Sequence, residues 1–330
     1  MLEIYKSQEV SKNSATTGVV KKVHKVVSTD KITEDCWINL YSPTEAEISR
    51  VETELNIPQE FLRYPLDEEE RPRIDVDDDT GIHLIIVDIP YSQRENDIIS
   101  YDTTPLGIII TERHIVTVSL KETSILDHVI ENRIRDLFIP FRTRFTIQIL
   151  SGVAREYLRL LRFIDKTLEA SEVKLAKEIS NKELYKLLEL SKSLVYFTSS
   201  LKSNEAVLEK LMRGRTIKLY DEDEDLLEDV VIEYKQAHEM ADIYANIVSS
   251  TTDAYASIIN NNVNDIMKIM AAATICLTIP DLIGCFFGQN CPMPWDDNFA
   301  SQPLPFIILL LSCIVSFFIA AIVLRKKKML

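Results

Sequence analysis

Asp281 interrupts the apolar run Met267–Phe287 (MKIMAAATICLTIPDLIGCFF), whose only other charge is Lys268. A carboxylate in such a run costs at least about 2.5–3.5 kcal/mol to place in a bilayer, so it normally faces a polar cavity or a partner. No Lys or Arg lies deep in this run or in the second apolar run, Pro303–Leu324, to neutralise it. At about 100° per residue, Met267, Met270, Thr274, Leu277, Thr278 and Asp281 fall on one side of a helix, and Gly288 joins them. A stripe of Met, Thr and Asp is unusual for lipid contact and suits rings of side chains lining a pore around an axis. The alternative places Asp281 at the outer interface, in reach of water and lipid headgroups. Pro280 frees a helical carbonyl one turn earlier, which suits a lined cavity.

Gly288-Gln289-Asn290 follows where the helix must end. Glycine fits a left-handed cap, and the last carbonyls point outward with the negative end of the helix dipole. Amide and carbonyl oxygens are neutral donors that can hold a hydrated hard cation through its water shell, as Mg2+ favours. A polar helix cap is the other reading of the same residues.

These groups need a membrane hairpin to position them. Both apolar runs approach the 20 residues that cross about 30 Å of hydrocarbon. The connecting loop, Gly288–Gln302, holds Asp296 and Asp297 but no Lys or Arg, whereas Arg325-Lys326-Lys327-Lys328 follows the second run. The positive-inside rule puts both termini in the cytoplasm and the loop outside, giving a multi-pass protein of the cell (inner) membrane in contact with lipid. Nothing at the N-terminus resembles a signal peptide.

Composition removes several function classes. The 330 residues carry 37 Lys and Arg against 51 Asp and Glu, a net charge of −14. Residues 1–266 alone carry about −16, which argues against nucleic acid as a partner and for cations. There are seven glycines and no dinucleotide or P-loop fingerprint. The five cysteines (36, 276, 285, 291 and 313) form no C-x-x-C, and the five histidines form no H-E-x-x-H. His238 and Glu239 point to different sides of a predicted helix. No enzyme is expected.

The soluble part divides in two. Up to about residue 140 strands and helices alternate: valine-rich Thr17–Val27, short apolar Cys36–Tyr41, the buried strand Ile82–Tyr91, and a hairpin of Pro105–Ile110 with His114–Ser119. Ser42-Pro43-Thr44-Glu45 reads as a capping box with proline in the first turn, opening a helix to about Leu55. Leu126–Leu137 reads as a helix. From Arg142 there is no proline before Pro280 and glycine only at 152 and 214, with Leu and Ile at helical spacing through Ile147–Ile179 and Leu184–Leu211. Arg213-Gly214-Arg215 is the expected turn. A last helix starts near Glu222 and enters the membrane unbroken, so some 65 residues would extend about 98 Å and pack beside copies of themselves. The expected organisation is an α+β cytosolic domain at 1–140, long stalk helices at 141–266, membrane helices at 267–287 and 303–324 joined by an outer loop at 288–302, and a basic tail at 325–330.

In this order of parts the chain resembles the CorA family of magnesium transporters. Thr278–Asn290 (TIPDLIGCFFGQN) is similar to the family's stretch through its Gly-Met-Asn signature, Asn260–Asn264 (NNNVN) to its pore entrance, and Arg71-Pro72-Arg73-Ile74 to a recurrent run of its soluble domain. The resemblance implies a funnel-shaped homopentamer with the first membrane helices lining the pore. It implies an outer selectivity ring at Asn290 with Gly288 and Gln289 beside it. Asp281 takes the place of a pore threonine, Met270 and Asn264 are inner pore positions, and Asp253 forms a carboxylate ring further in. Lys326, Lys327 and Lys328 would form a basic collar. Cytosolic Mg2+ bound between subunits would close the channel, with Asp67 and Asp229 as candidate ligands and the run Asp221–Asp225 as a contributor. Two departures stand out: Gln289 replaces the signature methionine, and Asp281 replaces the threonine. Passive, gated passage of divalent cations, Mg2+ first, is therefore expected. A proton-coupled zinc, cobalt or nickel transporter and a non-conducting membrane-tethered cation sensor or scaffold are the competing expectations.

Overall fold

Runs of β-branched residues build one seven-stranded sheet in the computed structural model, which describes residues 1–13, 20–95, 98–134, 137–177, 180–214, 217, 219–288 and 304–327. The chain forms two units, Met1–Thr251 and Thr252–Leu330. In the first, strands β1 (Leu2–Asn13), β2 (Val20–Thr29), β3 (Cys36–Tyr41), β4 (Arg73–Asp77), β5 (Ile82–Glu95), β6 (Ile98–Ile110) and β7 (Ile115–Ser119) lie in the order β2-β1-β3-β7-β6-β5-β4. Only β3 and β7 are parallel, Trp37 opposite Ile115 and Tyr41 opposite Ser119; the other neighbours are antiparallel. All five residues of β7 are buried, as an apolar run covered on both faces must be.

Helices α1 (Glu45–Leu55) and α2 (Gln59–Arg63) bring Ile48, Val51, Phe61 and Leu62 onto a core with Ile38, Leu40, Leu84, Ile86 and Val116. Gly107 of β6 admits this layer, because a Cβ there would overlap the Pro65 ring. Long helices α4 (Arg142–Lys177) and α5 (Asn181–Met212) carry an aromatic layer in which Trp37 lies 5.4 Å from Phe145 and Tyr157 5.1 Å from Phe197, ring to ring. Short α3 (Ser124–Ile130) precedes them. Gly214 adopts φ +66° in the turn after α5, where a β-carbon would be strained. The final helices are α6 (Asp221–Phe287) and α7 (Leu304–Lys326).

Three local readings need correction. The cap of α1 is Thr44, not Ser42: the Thr44 side chain accepts from the Glu47 N–H while Glu47 accepts from the Thr44 N–H, so Pro43 precedes the helix. Helix α3 ends at Ile130 and not at Leu137, since Asn132 takes φ +56° and its side chain bonds to Val26 of β2. Strand β1 is not evident from sequence, because its charges hide the alternation; burial of Ile4 and Tyr5 shows what it contributes to the core.

Strand β4 stops opposite Ile86, and beyond it Asn204 of α5 takes the place of a strand partner. Its Oδ1 accepts from the Asp88 N–H and its Nδ2 donates to the Asp88 carbonyl, both at 2.8 Å, while the Tyr157 hydroxyl donates to the same carbonyl at 3.1 Å. Ser200 donates to the Asp88 carboxylate at 2.7 Å and lies 3.0 Å from the Thr103 hydroxyl. Burial pushes the Asp88 carboxyl above its usual value of 3.8, against the smaller effect of the Ser200 bond. Burial, followed by the nearby Asp88 charge, likewise pushes up the hydroxyl of Tyr234, which α6 places in this region.

Asn204→Ala orphans the Asp88 N–H, while the Tyr157 hydroxyl still serves the carbonyl, so it should cost about 1–3 kcal/mol in denaturant unfolding followed by tryptophan emission. A loss no larger than that of an exposed alanine substitution would show that the bonds do not matter. Asp88 has a separate signature. Because its folded pKa is raised, the folded state binds the proton more tightly, and stability falls as pH climbs from the unfolded carboxyl range through the folded pKa. Asp88→Asn keeps an acceptor for Ser200 and should be more stable than wild type at pH 7–8, with the difference closing near pH 4. A pH-independent difference would refute the burial argument.

Candidate functional site

Among the described residues, the two helical segments long and apolar enough to cross a membrane lie in the second unit. They pack through small residues. Ala272 and Cys276 of α6 are buried against Ala320 and Leu324 of α7, with Ala321 beside them. Partly buried Pro280 and Gly284 continue the same four-residue spacing, and small residues at that spacing let two backbones approach closely. The Cys313 thiol of α7 reaches the Pro280 carbonyl at 3.7 Å. Helix α6 runs through Pro280 without a break.

The Met, Thr and Asp stripe lies on a different face, about 130° around α6 from that seam. Met267 is 62% exposed and Met270 65%, and Thr274, Thr278 and Asp281 are exposed as well. The threonines have a defined polarity. Thr274 donates its hydroxyl proton to the Met270 carbonyl at 2.9 Å and Thr278 to the Thr274 carbonyl at 2.7 Å. With the proton turned back into the helix, each hydroxyl oxygen presents lone pairs outward and acts as an acceptor. Asp281 makes no ion pair among the described residues. The stripe is thus a column of oxygen acceptors and thioethers on a face that α7 does not cover.

At its outer end α6 closes with Gly288 donating to the carbonyls of Gly284 at 2.9 Å and Cys285 at 3.2 Å. Gly288 does not take the left-handed conformation expected of a glycine cap: among the described residues the glycines at positive φ are Gly81 and Gly214. A bifurcated bond to two carbonyls continues the helical path instead. Gln289 and Asn290 lie outside the described residues, as does Lys328.

The remaining candidates are spread along the chain. Asp253 and Asn264 are exposed on α6, inward of the stripe. Lys326 closes α7 and Lys327 follows it, both exposed. Asp67 sits in the turn after the Tyr64–Leu66 helical turn, where its carboxylate accepts from the Glu69 N–H at 3.0 Å, and Asp229 is exposed on α6. Among the described residues no three His, Cys, Asp or Glu side chains converge as a metal-binding group. The acidic run that opens α6 is engaged locally, where Arg144 of α4 holds Glu222 at 2.7 Å and the nearly buried Asp223 at 2.9 Å.

A heptad count adds Asn260, named so far only as part of the run Asn260–Asn264. Asp253, Asn260, Met267, Thr274, Asp281 and Gly288 recur at seven-residue intervals. In a left-handed supercoil that spacing keeps side chains on one face, whereas the 100° rotation of a straight helix moves Asp253 about 80° away from Asp281. Counting in heptads identifies Asn260.

Comparison with known proteins agrees with this arrangement. The Cobalt/magnesium transport protein CorA of Methanocaldococcus jannaschii is 30% identical over 77% of this chain and 79% of its own length. The Magnesium transport protein CorA of Campylobacter jejuni is 25% identical over 84% of this chain and 88% of its own. The complete structure of the Methanocaldococcus jannaschii CorA magnesium transporter superposes with a TM-score of 0.80 at 25% identity, covering 99% of this chain and 98% of that one. The family model of CorA-like Mg2+ transporter proteins matches residues 34–326, and with an α/β domain, long helices and an apolar helical pair in the same order, the chain belongs to that family.

Proposed function

We propose that this chain transports divalent metal cations across a membrane, with Mg2+ the principal cargo, by passive flow through a pore lined by α6 in a homopentamer. The observation that carries the reading is the uncovered stripe: polar oxygens on an otherwise apolar span, turned away from the only other membrane helix among the described residues. Five copies around an axis would give those oxygens water and cations in place of lipid. The named transport of cobalt and magnesium by the Methanocaldococcus jannaschii relative, and of magnesium by the Campylobacter jejuni one, supports the cargo.

Each part then has a role. Asn290 forms the outer selectivity ring with Gly288 and Gln289, whose neutral oxygens hold a hydrated ion through its water shell. Asp281 adds a carboxylate ring just inside, and Thr278, Thr274, Met270 and Met267 line the passage inward. Asn264, Asn260 and Asp253 carry it to the cytosolic end, and Lys326, Lys327 and Lys328 ring the inner mouth. Both termini lie in the cytoplasm and the 288–302 loop outside, with the cytosolic domain at 1–140, the stalk at 141–266 and membrane helices at 267–287 and 303–324. Cytosolic Mg2+ closes the channel by binding carboxylates of neighbouring copies, Asp67 and Asp229 among them. No covalent chemistry takes part.

A second reading is favoured by one residue. The Asp281 carboxylate can carry a proton, so the same pore could couple zinc, cobalt or nickel movement to a proton gradient. Liposomes loaded with a Mg2+ dye separate the readings. Wild type should admit Mg2+ regardless of an imposed pH gradient, and Asn290→Ala should cut entry about tenfold or more, equivalent to about 1.4 kcal/mol in the barrier. Asp281→Asn should retain Mg2+ entry while changing selectivity among Mg2+, Co2+, Ni2+ and Zn2+. Flux of zinc or cobalt alone that follows the gradient and needs Asp281 would replace the channel by the coupled transporter. Folded, oligomeric protein silent to every cation would leave a sensor or scaffold.

A further inference from the structure

A cationic pocket of about 320 Å3 opens between α3 and α4 in the first unit. Arg133, Arg155, Arg159 and His128 surround it, and Ile125 and Ile134 form its apolar wall. Three arginines on one small concavity are unexpected in a chain of net charge −14. Gly152 helps to form the space: it lies one turn before Arg155, and a Cβ there would come within 3.0 Å of the Ile125 side chain.

The charges in the pocket are not balanced. Among the described residues Glu156 is the one carboxylate in the lining, and it is committed, accepting from Arg159 at 2.8 and 2.5 Å and from the Ser124 hydroxyl at 3.4 Å. Arg133 reaches Glu131, outside the pocket, at 2.6 Å through its Nε. Arg155 donates its Nε to the Ser151 carbonyl of its own helix at 3.2 Å and meets no carboxylate among the described residues. Its terminal nitrogens therefore remain available at the rim. Counting Glu131, the three arginines meet two carboxylates among the described residues, and Arg155 is the one left unanswered.

We propose that this pocket binds a small phosphate-bearing anion. Arg155 and Arg133 take the phosphoryl oxygens, and Ile125 and Ile134 cover the organic portion. The guanidinium fork matches phosphate geometry and keeps its charge at any physiological pH. With Arg159 answered by Glu156 and Arg133 by Glu131, Arg155 is the guanidinium without a carboxylate among the described residues, which suits an anion, and the volume falls at the small end of ligand pockets. Arg159 acts through Glu156, holding the wall in place. All the residues belong to the first unit, so occupancy of the pocket can be tested apart from ion passage.

The test uses the full chain in detergent, titrated calorimetrically without Mg2+ at fixed ionic strength. The probes are inorganic phosphate, phenyl phosphate and succinate. Saturable binding of both phosphates is expected, with phenyl phosphate at least as tight because it adds contact with Ile125 and Ile134. Arg155→Gln should weaken binding about tenfold or more, the scale of a charge-assisted bond, and Arg155→Lys by less. Arg162→Gln, an exposed arginine of α4 outside the pocket, should leave affinity within about twofold. Tight phenyl phosphate with weak inorganic phosphate would identify an organic phosphate, and equal affinities would identify free phosphate. Succinate binding as well as phosphate, binding unchanged in Arg155→Gln, or no saturation by about 10 mM phosphate would overturn the assignment.

Discussion

A polar group on a membrane-spanning helix must find a partner other than hydrocarbon, and much of the second unit follows from how α6 meets that demand. Its backbone is satisfied by the helix itself except at the Cys276 carbonyl, to which Pro280 has no N–H to offer. Its threonine protons are absorbed by carbonyls one turn back, and the Pro280 carbonyl, facing α7, is met by the Cys313 thiol. What remains is a set of acceptors with no donor: the threonine oxygens and the Asp281 carboxylate. Acceptors of this kind, without a Lys or Arg nearby, are matched by water or a cation. The seam with α7 explains why they stay uncovered, since small residues at 272, 276 and 284 draw the partner to another face.

Helix α6 is also bound into the first unit, by quite different chemistry. There its first turn is held by a guanidinium, with Arg144 bridging Glu222 and Asp223, and Tyr234 is buried near the Asp88 network. Acidic residues in the first turn further suit the positive end of the helix dipole. The same helix thus uses carboxylates for anchorage at its start and presents one as an unpaired acceptor near its end. Composition alone could not separate the two uses. By type the acidic run suits cation sensing, yet two of its side chains are occupied by arginine within the same chain.

The parts legible in the sequence were those set by periodicity. The long helices, the strand segments Cys36–Tyr41, Ile82–Tyr91 and Pro105–Ile110 and the apolar pair follow from the spacing of Leu, Ile and Val, and the turn at Gly214 from its glycine. Features set by side-chain competition were less legible. Ser42 and Thr44 are equally good caps by type, and only the reciprocal bond to Glu47 decides between them. Strand β1 hides because its polar residues break the apolar alternation, and α3 stops early because Asn132 turns to bond with β2. In the candidate site, the stripe was visible at 100° per residue, whereas Asn260 was reached only within the run Asn260–Asn264, since its place on the same face needs the slightly tighter winding of a supercoil. Gly288 misled for a related reason: glycine permits the left-handed cap without requiring it, and the Gly284 and Cys285 carbonyls kept it on the helical path.

The departure at Asp281 concerns selectivity more than fold. In the proposed pore, threonine oxygens and the amides of Gln289 and Asn290 are weak, neutral ligands that leave the water shell of Mg2+ in place. A carboxylate is a stronger ligand and competes with that water. Mg2+ gives up water reluctantly, so a carboxylate ring slows it when it binds directly and attracts it when it acts through water. Transition-metal ions, which bind oxygen and nitrogen donors more tightly, gain more from direct contact. The distance between the carboxylate and the axis therefore decides which ions the ring favours. In the proposed pore that distance would follow from how closely the copies of α6 approach, and the side chains of Met270 and Thr274, inward of it on the same stripe, would share the space around the axis. Selectivity at Asp281 would then be a packing property of the whole stripe, and substitutions at Met270 would retune the ion preference without touching a single oxygen ligand.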